Sequence, residues 1–324
     1  MRNRLRIARH SFYSFFTTPA SVFPLVFLRI SFSIFCLLLC ISLYPYLHDL
    51  YGSEGYIQWV ISDNLFKNPL IPTLHNLFDW AQHIGTFTDM EVIRTAYLFY
   101  IACIICIGLG LFSNLFALLA WFLHLLFLNT GNIYGYGVET FVHMILFYFI
   151  FMPIDSRWSV SSFLRKKRYN SYEVRKHHAI LSRMSIRLLQ LHLCIIYLDA
   201  GLAKMLGNHW WNGEAMWRSL THFQYNTIEL FWLSSYPLFL KIVGWVVLLL
   251  ETGYAVFIWM PTRKIFLYGI LLMHIGISLL MGLYFFGAVM VLINVAAFGF
   301  DLQPDADTTN NKLPAPAEHM RSDF

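Results

Sequence analysis

From Phe23 onward the sequence returns repeatedly to apolar runs of bilayer-crossing length, separated by short polar segments. The hydrocarbon layer is about 30 Å thick and takes roughly 20 helical residues to cross. Inside it every backbone N–H and C=O must find a partner, which leaves helices and closed barrels as the only spanning folds. Spans are expected at 23–47, 93–111, 113–129, 138–153, 183–206, 236–259, 264–282 and 286–300. The fold class that follows is an all-α integral membrane protein, a polytopic bundle of about eight transmembrane helices. Several runs are short or nearly contiguous, so seven to nine spans fit the pattern. With 58% hydrophobic and 13% charged residues, the chain excludes an ordinary soluble enzyme, for which charged residues make up about 25%.

The charges are unevenly placed. Arg2, Arg4, Arg6 and Arg9 open the chain, and Arg157, Arg165, Lys166, Lys167, Arg168, Arg175, Lys176 and Arg183 crowd the segment 154–183. The loop 48–92 is acidic, with Asp49, Glu54, Asp63, Asp79, Asp89 and Glu91 against Lys67. Basic loops stay in the cytoplasm, so both termini are expected inside and loop 48–92 outside, in a cell (inner) membrane. For so apolar a chain the basic run 165–168 reads as a cytoplasmic loop and not as a nucleic-acid site. The run after the basic N-terminus is longer than a signal-peptide core of about 7–15 residues and reads as a retained first span. The chain therefore divides into a basic segment 1–22, a bundle 23–300 and a polar tail 301–324 expected to be disordered. In the outer loop, Leu70, Leu74, Leu77, Phe78, Ala81 and Ile84 have helical spacing and suggest an amphipathic helix on or over the bundle.

All five cysteines (Cys36, Cys40, Cys103, Cys106 and Cys194) fall within spans, so no extracellular disulfide framework is expected. Cys103 and Cys106 have redox-motif spacing, although packing is the commoner use of small thiols in helices.

Function is sought among polar groups in the apolar runs, because each costs about 2.5–3.5 kcal/mol to insert unless paired or solvated. They are Arg29, His124, Glu139, His143, His192, Asp199, Lys204, Lys241, Glu251 and His274. Lys241 sits near a helix end and can snorkel. Each of the others can serve either as interhelical glue or as chemistry, and together they argue for a polar interior. Residues seven apart share a helical face, which aligns Gln190, Tyr197 and Lys204, with Gly201 between the last two as a point of close approach. His192 and Asp199 form a second stripe. A lysine in apolar surroundings can shed its proton and act as a base, whereas one at the membrane surface merely snorkels. Trp210 and Trp211 suit an aromatic belt. Glu139 with His143, and Glu251 with His274, have the residue types of a carboxylate-bridged metal centre without its Glu-x-x-His spacing, and no metal is assigned.

The stretch Tyr197-Leu-Asp-Ala-Gly-Leu-Ala-Lys204, followed by Trp210-Trp-Asn-Gly213-Glu-Ala-Met216, resembles the central signature of the HTTM membrane domain. That domain is shared by vitamin K-dependent gamma-glutamyl carboxylases and bacterial membrane proteins, among them one needed for maturation of a secreted peptide toxin. Further fragments resemble the family in the same order: Leu28-Arg29-Ile30, Asp49-Leu-Tyr51 with Gly55, Gly137-Val-Glu139, Pro153 with Arg157-Trp-Ser-Val160, Leu250-Glu251, Met273-His274 and Phe285-Phe286. The resemblance implies a catalytic base at Lys204, with Asp199, Glu251 and His274 shaping the site. It also implies a reduced, vitamin K-like quinone held by Tyr197, Gly201, Trp210 and Trp211. The stretch Asn129–Glu139 carries no histidine where the carboxylases have one, and His143 is the nearest substitute. Without a large extracytoplasmic domain for docking a protein, an exported peptide is the expected substrate. The alternatives are a non-enzymatic membrane partner for peptide export, maturation or immunity, and a small-solute transporter. The transporter reading lacks interrupted helices in matching halves.

Overall fold

The computed structural model describes residues 2–65, 71–131, 135–164, 172–223, 227–300 and 302–303. Among them every regular element is helical. Nine helices carry the fold: α1 (Arg2–Thr17), α2 (Phe23–Leu43), α3 (Asp89–Leu109), α4 (Ser113–Thr130), α5 (Val138–Phe151), α6 (Tyr172–Met205), α7 (Pro237–Phe257), α8 (Arg263–Met281) and α9 (Tyr284–Phe298). Six helical segments, one in each of α2, α3, α4, α6, α7 and α8, are long and apolar enough to cross a membrane; α5 and α9 are shorter apolar helices packed among them. The protein is thus an all-α polytopic membrane bundle. Its outer surface agrees, because Ile34, Leu38, Leu98, Ile105, Leu249, Ile265, Leu272 and Leu279 are exposed, as suits a surface that faces lipid.

Local chemistry sets the helix ends. Thr88 and Glu91 form a reciprocal capping box that starts α3, and Gly110 (φ +72°) ends it in the left-handed region, where a glycine carries no steric penalty. Pro24 and Pro237 stand in the first turns of α2 and α7, where a missing N–H costs nothing. At 34 residues α6 is about 51 Å long, so its basic first turns extend beyond the apolar layer. It begins well before the expected 183.

Helices α2–α5 form one group and α6–α9 the other, and α9 joins them by packing against α2, α5, α6 and α8. The chain runs alternately between two ends. At the basic end lie α1, the turn after α5, the start of α6 and the α7–α8 turn. Fully buried Arg29 ties that end together by donating to the carbonyls of Ile154 (2.8 Å), Arg157 and Trp158. The expected basic segment 1–22 is largely the helix α1, and its exit is fastened to α6 by Ala20 N–H donating to Ala179 O (3.0 Å) and by Ser182 Oγ donating to Ser21 O (2.9 Å). Within the outer loop only Leu74–Gln82 of the expected amphipathic stretch is helical. Its Leu74 N–H donates to Thr130 Oγ1 (2.9 Å), so it covers the end of α4. At the same far end, Leu220, Leu230, Leu233 and Leu240 form a small separate core. Leu70, Lys67, Asn132, the run 165–168 and the tail beyond 303 lie outside the described residues, as does Asp301.

Candidate functional site

At the far end, α6 and α7 approach closely because Gly201 has no side chain. A Cβ there would lie 2.6 Å from Thr252 Cγ2 and 2.8 Å from the Thr252 backbone nitrogen. This approach brings Lys204, one turn along α6, to Glu251, the neighbour of Thr252 on α7. Lys204 Nζ donates to Glu251 Oε2 at 2.5 Å. The pair is lopsided: the Glu251 side chain is 8% exposed and that of Lys204 25%. Lys204 Nζ also lies 5.4 Å from the centre of the Trp210 ring, within cation–π range.

Deeper by two turns of α6 and one of α7, a second network links four helices. Tyr197 Oη and His274 Nε2 are 2.9 Å apart. Asn294 Nδ2 donates to Tyr197 Oη (2.7 Å) and to Met290 O (2.8 Å), while Tyr254 Oη donates to Asn294 Oδ1 (2.6 Å). Asn294 is fully buried, and His274 Nδ1 is buried without a hydrogen-bond partner. Lys204 and Tyr197 both stand on α6, and Glu251 and Tyr254 both stand on α7, so the two layers are built on the same helix pair. Together they comprise an amine and carboxylate that can exchange a proton, backed by two phenols, an imidazole and an amide.

Of the expected site residues, Lys204, Glu251, His274 and Tyr197 are brought together. Asp199 is not. It is exposed on the outer face of α6 with Ile195, Leu198 and Leu202, because two residues from Tyr197 is about 200° around the helix. It lies apart from the other four, and His192 on the same stripe pairs with Tyr148. The four residues expected to hold a quinone do not share a surface. Gly201 is closed by Thr252, and the Tyr197 hydroxyl is spent on His274 and Asn294. Trp211 donates from Nε1 to Met205 O (2.8 Å), fastening the chain to the end of α6. Trp210 is partly exposed beside Lys204.

Beyond Trp211, Gly213 (φ +86°) lets the chain press on the start of α7, where a Cβ would meet the Lys241 nitrogen at 2.8 Å. On the following helix, Glu214–Leu220, the Arg218 hydrogen bond (2.5 Å) holds the Glu214 carboxyl below the ordinary carboxylate range. Elsewhere, His124 and His143 meet at 3.4 Å between Nδ1 atoms, with Trp121 stacked on His143, and Glu139 Oε2 is buried without a partner. Among the described residues no three His, Cys, Asp or Glu side chains converge as a metal set. The five cysteines are free, and Cys103 is buried in the core.

Asn294 and Tyr254 carry no charge at neutral pH and so do not stand out among the charged and imidazole groups of the apolar runs. The sequence does mark Asn294, because an asparagine in an apolar run is a polar group that needs an interhelical partner. No protein-family model, no curated protein and no solved structure matches the chain.

Proposed function

We propose that this protein is a multi-pass membrane enzyme of the HTTM type, which removes a proton from its substrate at the end of the bundle bearing Lys204. The observation that carries this reading is the 2.5 Å contact between a half-buried lysine and a buried glutamate, next to the stretch that resembles the family signature. Lys204 is the proton acceptor at the surface of the site. Glu251 fixes its amine and takes up the proton that the ammonium must shed before it can accept one, and Tyr197, His274 and Asn294 tie α6 to α8 and α9. The basic end is cytoplasmic by the positive-inside rule, so the site faces the outer half of the cell membrane, where an exported peptide passes. A reduced quinone bound there would supply an acidic ring hydroxyl, and it would lie against Trp210 and Lys204.

The test compares exported peptides by mass spectrometry from cells with wild type, no protein, or Lys204→Ala at equal membrane levels. A modified or processed peptide made only with wild type supports the enzyme, and its mass difference names the reaction. Identical peptides from wild type and Lys204→Ala, differing together from the null strain, refute it. A second reading is favoured by the sealing of Gly201 against Thr252. In it, the ion pair is glue between α6 and α7, and the protein is a non-enzymatic partner for peptide export, maturation or immunity.

A further inference from the structure

At the opposite, basic end, where α6, α7, α8 and α9 meet, lies a cleft of about 190 Å³ lined by Arg183, Arg187, Gln190, Trp259, Arg263 and Leu302. Arg187 is 17 residues from Lys204 along α6, or about 25 Å, so the cleft is separate from the site above.

Each guanidinium is held from one side by neutral groups. Arg183 donates from Nε to Thr18 O (2.9 Å) and from Nη2 to Pro19 O (3.4 Å) and Leu302 O (2.9 Å). Arg187 donates from Nε to Phe15 O (3.3 Å) and from Nη1 to Gln190 Oε1 (2.8 Å), and it lies 4.0 Å from the centre of the Phe15 ring. Gln190 is itself pinned to Ala297 O (2.6 Å). Arg263 donates from Nη2 to the carbonyls of Phe298 and Phe300. Among the described residues, Nη1 of Arg183, Nη2 of Arg187 and Nη1 of Arg263 have no partner, and none of the three cations is paired with a carboxylate.

Three positive charges thus border one small cleft, and those of Arg183 and Arg263 act against that of Arg187. Like charges fixed in a partly desolvated place destabilise one another unless an anion joins them. Guanidinium forks match the oxygens of phosphate. Drug-sized ligands fill about 300–1,000 Å³, so this cleft suits a phosphate group and its nearest atoms. Basic pockets between helices on the cytoplasmic side also face the anionic leaflet.

We infer that the cleft binds a phosphate-bearing anion through Arg183, Arg187 and Arg263, either as the headgroup phosphate of an anionic membrane lipid or as a soluble phosphate. The arginines are anchored on Phe15, Thr18, Pro19 and Leu302, so the bound anion clamps the exit of α1 and the chain after α9 onto the bundle.

The test places the full chain in phosphatidylcholine nanodiscs and follows its thermal-unfolding midpoint. One arm adds phosphatidylglycerol to the discs and the other adds inorganic phosphate. The expected result is a midpoint that rises with added anion, with apparent affinity about tenfold weaker in Arg187→Gln and in Arg263→Gln. A rise with phosphatidylglycerol alone assigns the anion to the leaflet, and a rise with inorganic phosphate as well assigns it to solution. Should the glutamine variants fail to fold, Arg187→Lys and Arg263→Lys keep the charge but lose the fork, and they are expected to weaken binding severalfold. No response from wild type in either arm overturns the proposal, as does an undiminished response in the variants. Asp301 adjoins Leu302 in sequence; a response that emerges only in Asp301→Asn would make the chain's own carboxylate the occupant and likewise overturn it.

Discussion

A double-mutant cycle on Lys204 and Glu251 separates glue from chemistry. Removing one partner of a buried ion pair costs about 3–5 kcal/mol, whereas fully exposed pairs contribute about 0–1 kcal/mol. Here the Glu251 side chain is 8% exposed and that of Lys204 25%, so the two single variants are unequal. Lys204→Met strands a buried carboxylate and is expected to cost about 2–3 kcal/mol. Glu251→Leu leaves an ammonium that still reaches Trp210 and solvent and is expected to cost about 1–2 kcal/mol. The double variant removes both charges and is expected within about 1 kcal/mol of wild type, so single costs that together reach about 3–5 kcal/mol leave a coupling energy of about 3–4 kcal/mol, roughly a few-hundred-fold effect on the unfolding equilibrium. The measurement is reversible unfolding of the four proteins by sodium dodecyl sulfate titration in mixed micelles. Single variants whose costs simply add in the double variant would refute the pairing. Peptide modification is then assayed in the double variant: a folded, inactive protein supports Lys204 as the base, whereas a folded, active one leaves the pair as interhelical glue.

Replacing Asn294 by Leu leaves the buried Tyr254 hydroxyl without its acceptor and is expected to cost about 2–4 kcal/mol in the same titration; stability equal to wild type would dissolve the network. Gly201→Ala drives a methyl into Thr252 and is expected to cost about 1–3 kcal/mol by forcing α6 from α7, with activity falling in parallel; Thr252→Ser should recover part of both. Asp199→Asn, on the outer face, is expected to leave peptide modification unchanged, and a loss comparable to that of Lys204→Ala would return Asp199 to the site. Glu214 contributes stability that is present above its ordinary value of 4.5 and is lost as pH falls, because its folded carboxyl is the stronger acid. Being exposed, it should shift the acid limb of the unfolding midpoint only slightly, and Arg218→Ala should erase that shift.

The apolar run lengths carried the helices into view, and the expected spans at 113–129, 138–153 and 264–282 fall within a few residues of α4, α5 and α8. Spans are legible because a helix satisfies its backbone within itself, so hydrophobic length alone specifies it. The distribution of basic residues likewise marked one end of the bundle, and seven-residue spacing put Tyr197 and Lys204 on the face that the structure turns toward α7 and α9. Rotation about each helix axis and pairing between helices were decided by the tertiary structure alone. Lipid tails and neighbouring helices are equally apolar, so the pattern of Leu, Ile and Phe does not distinguish a buried face from a lipid-facing one. That is why the separate stripe of Asp199 could not be told from a buried one, and why Arg29 is one polar residue among many until its carbonyl partners are in place. It is also why the meeting of Lys204 with Glu251 and the convergence of Arg183, Arg187 and Arg263, which join residues far apart in the chain, exist only once the helices have packed.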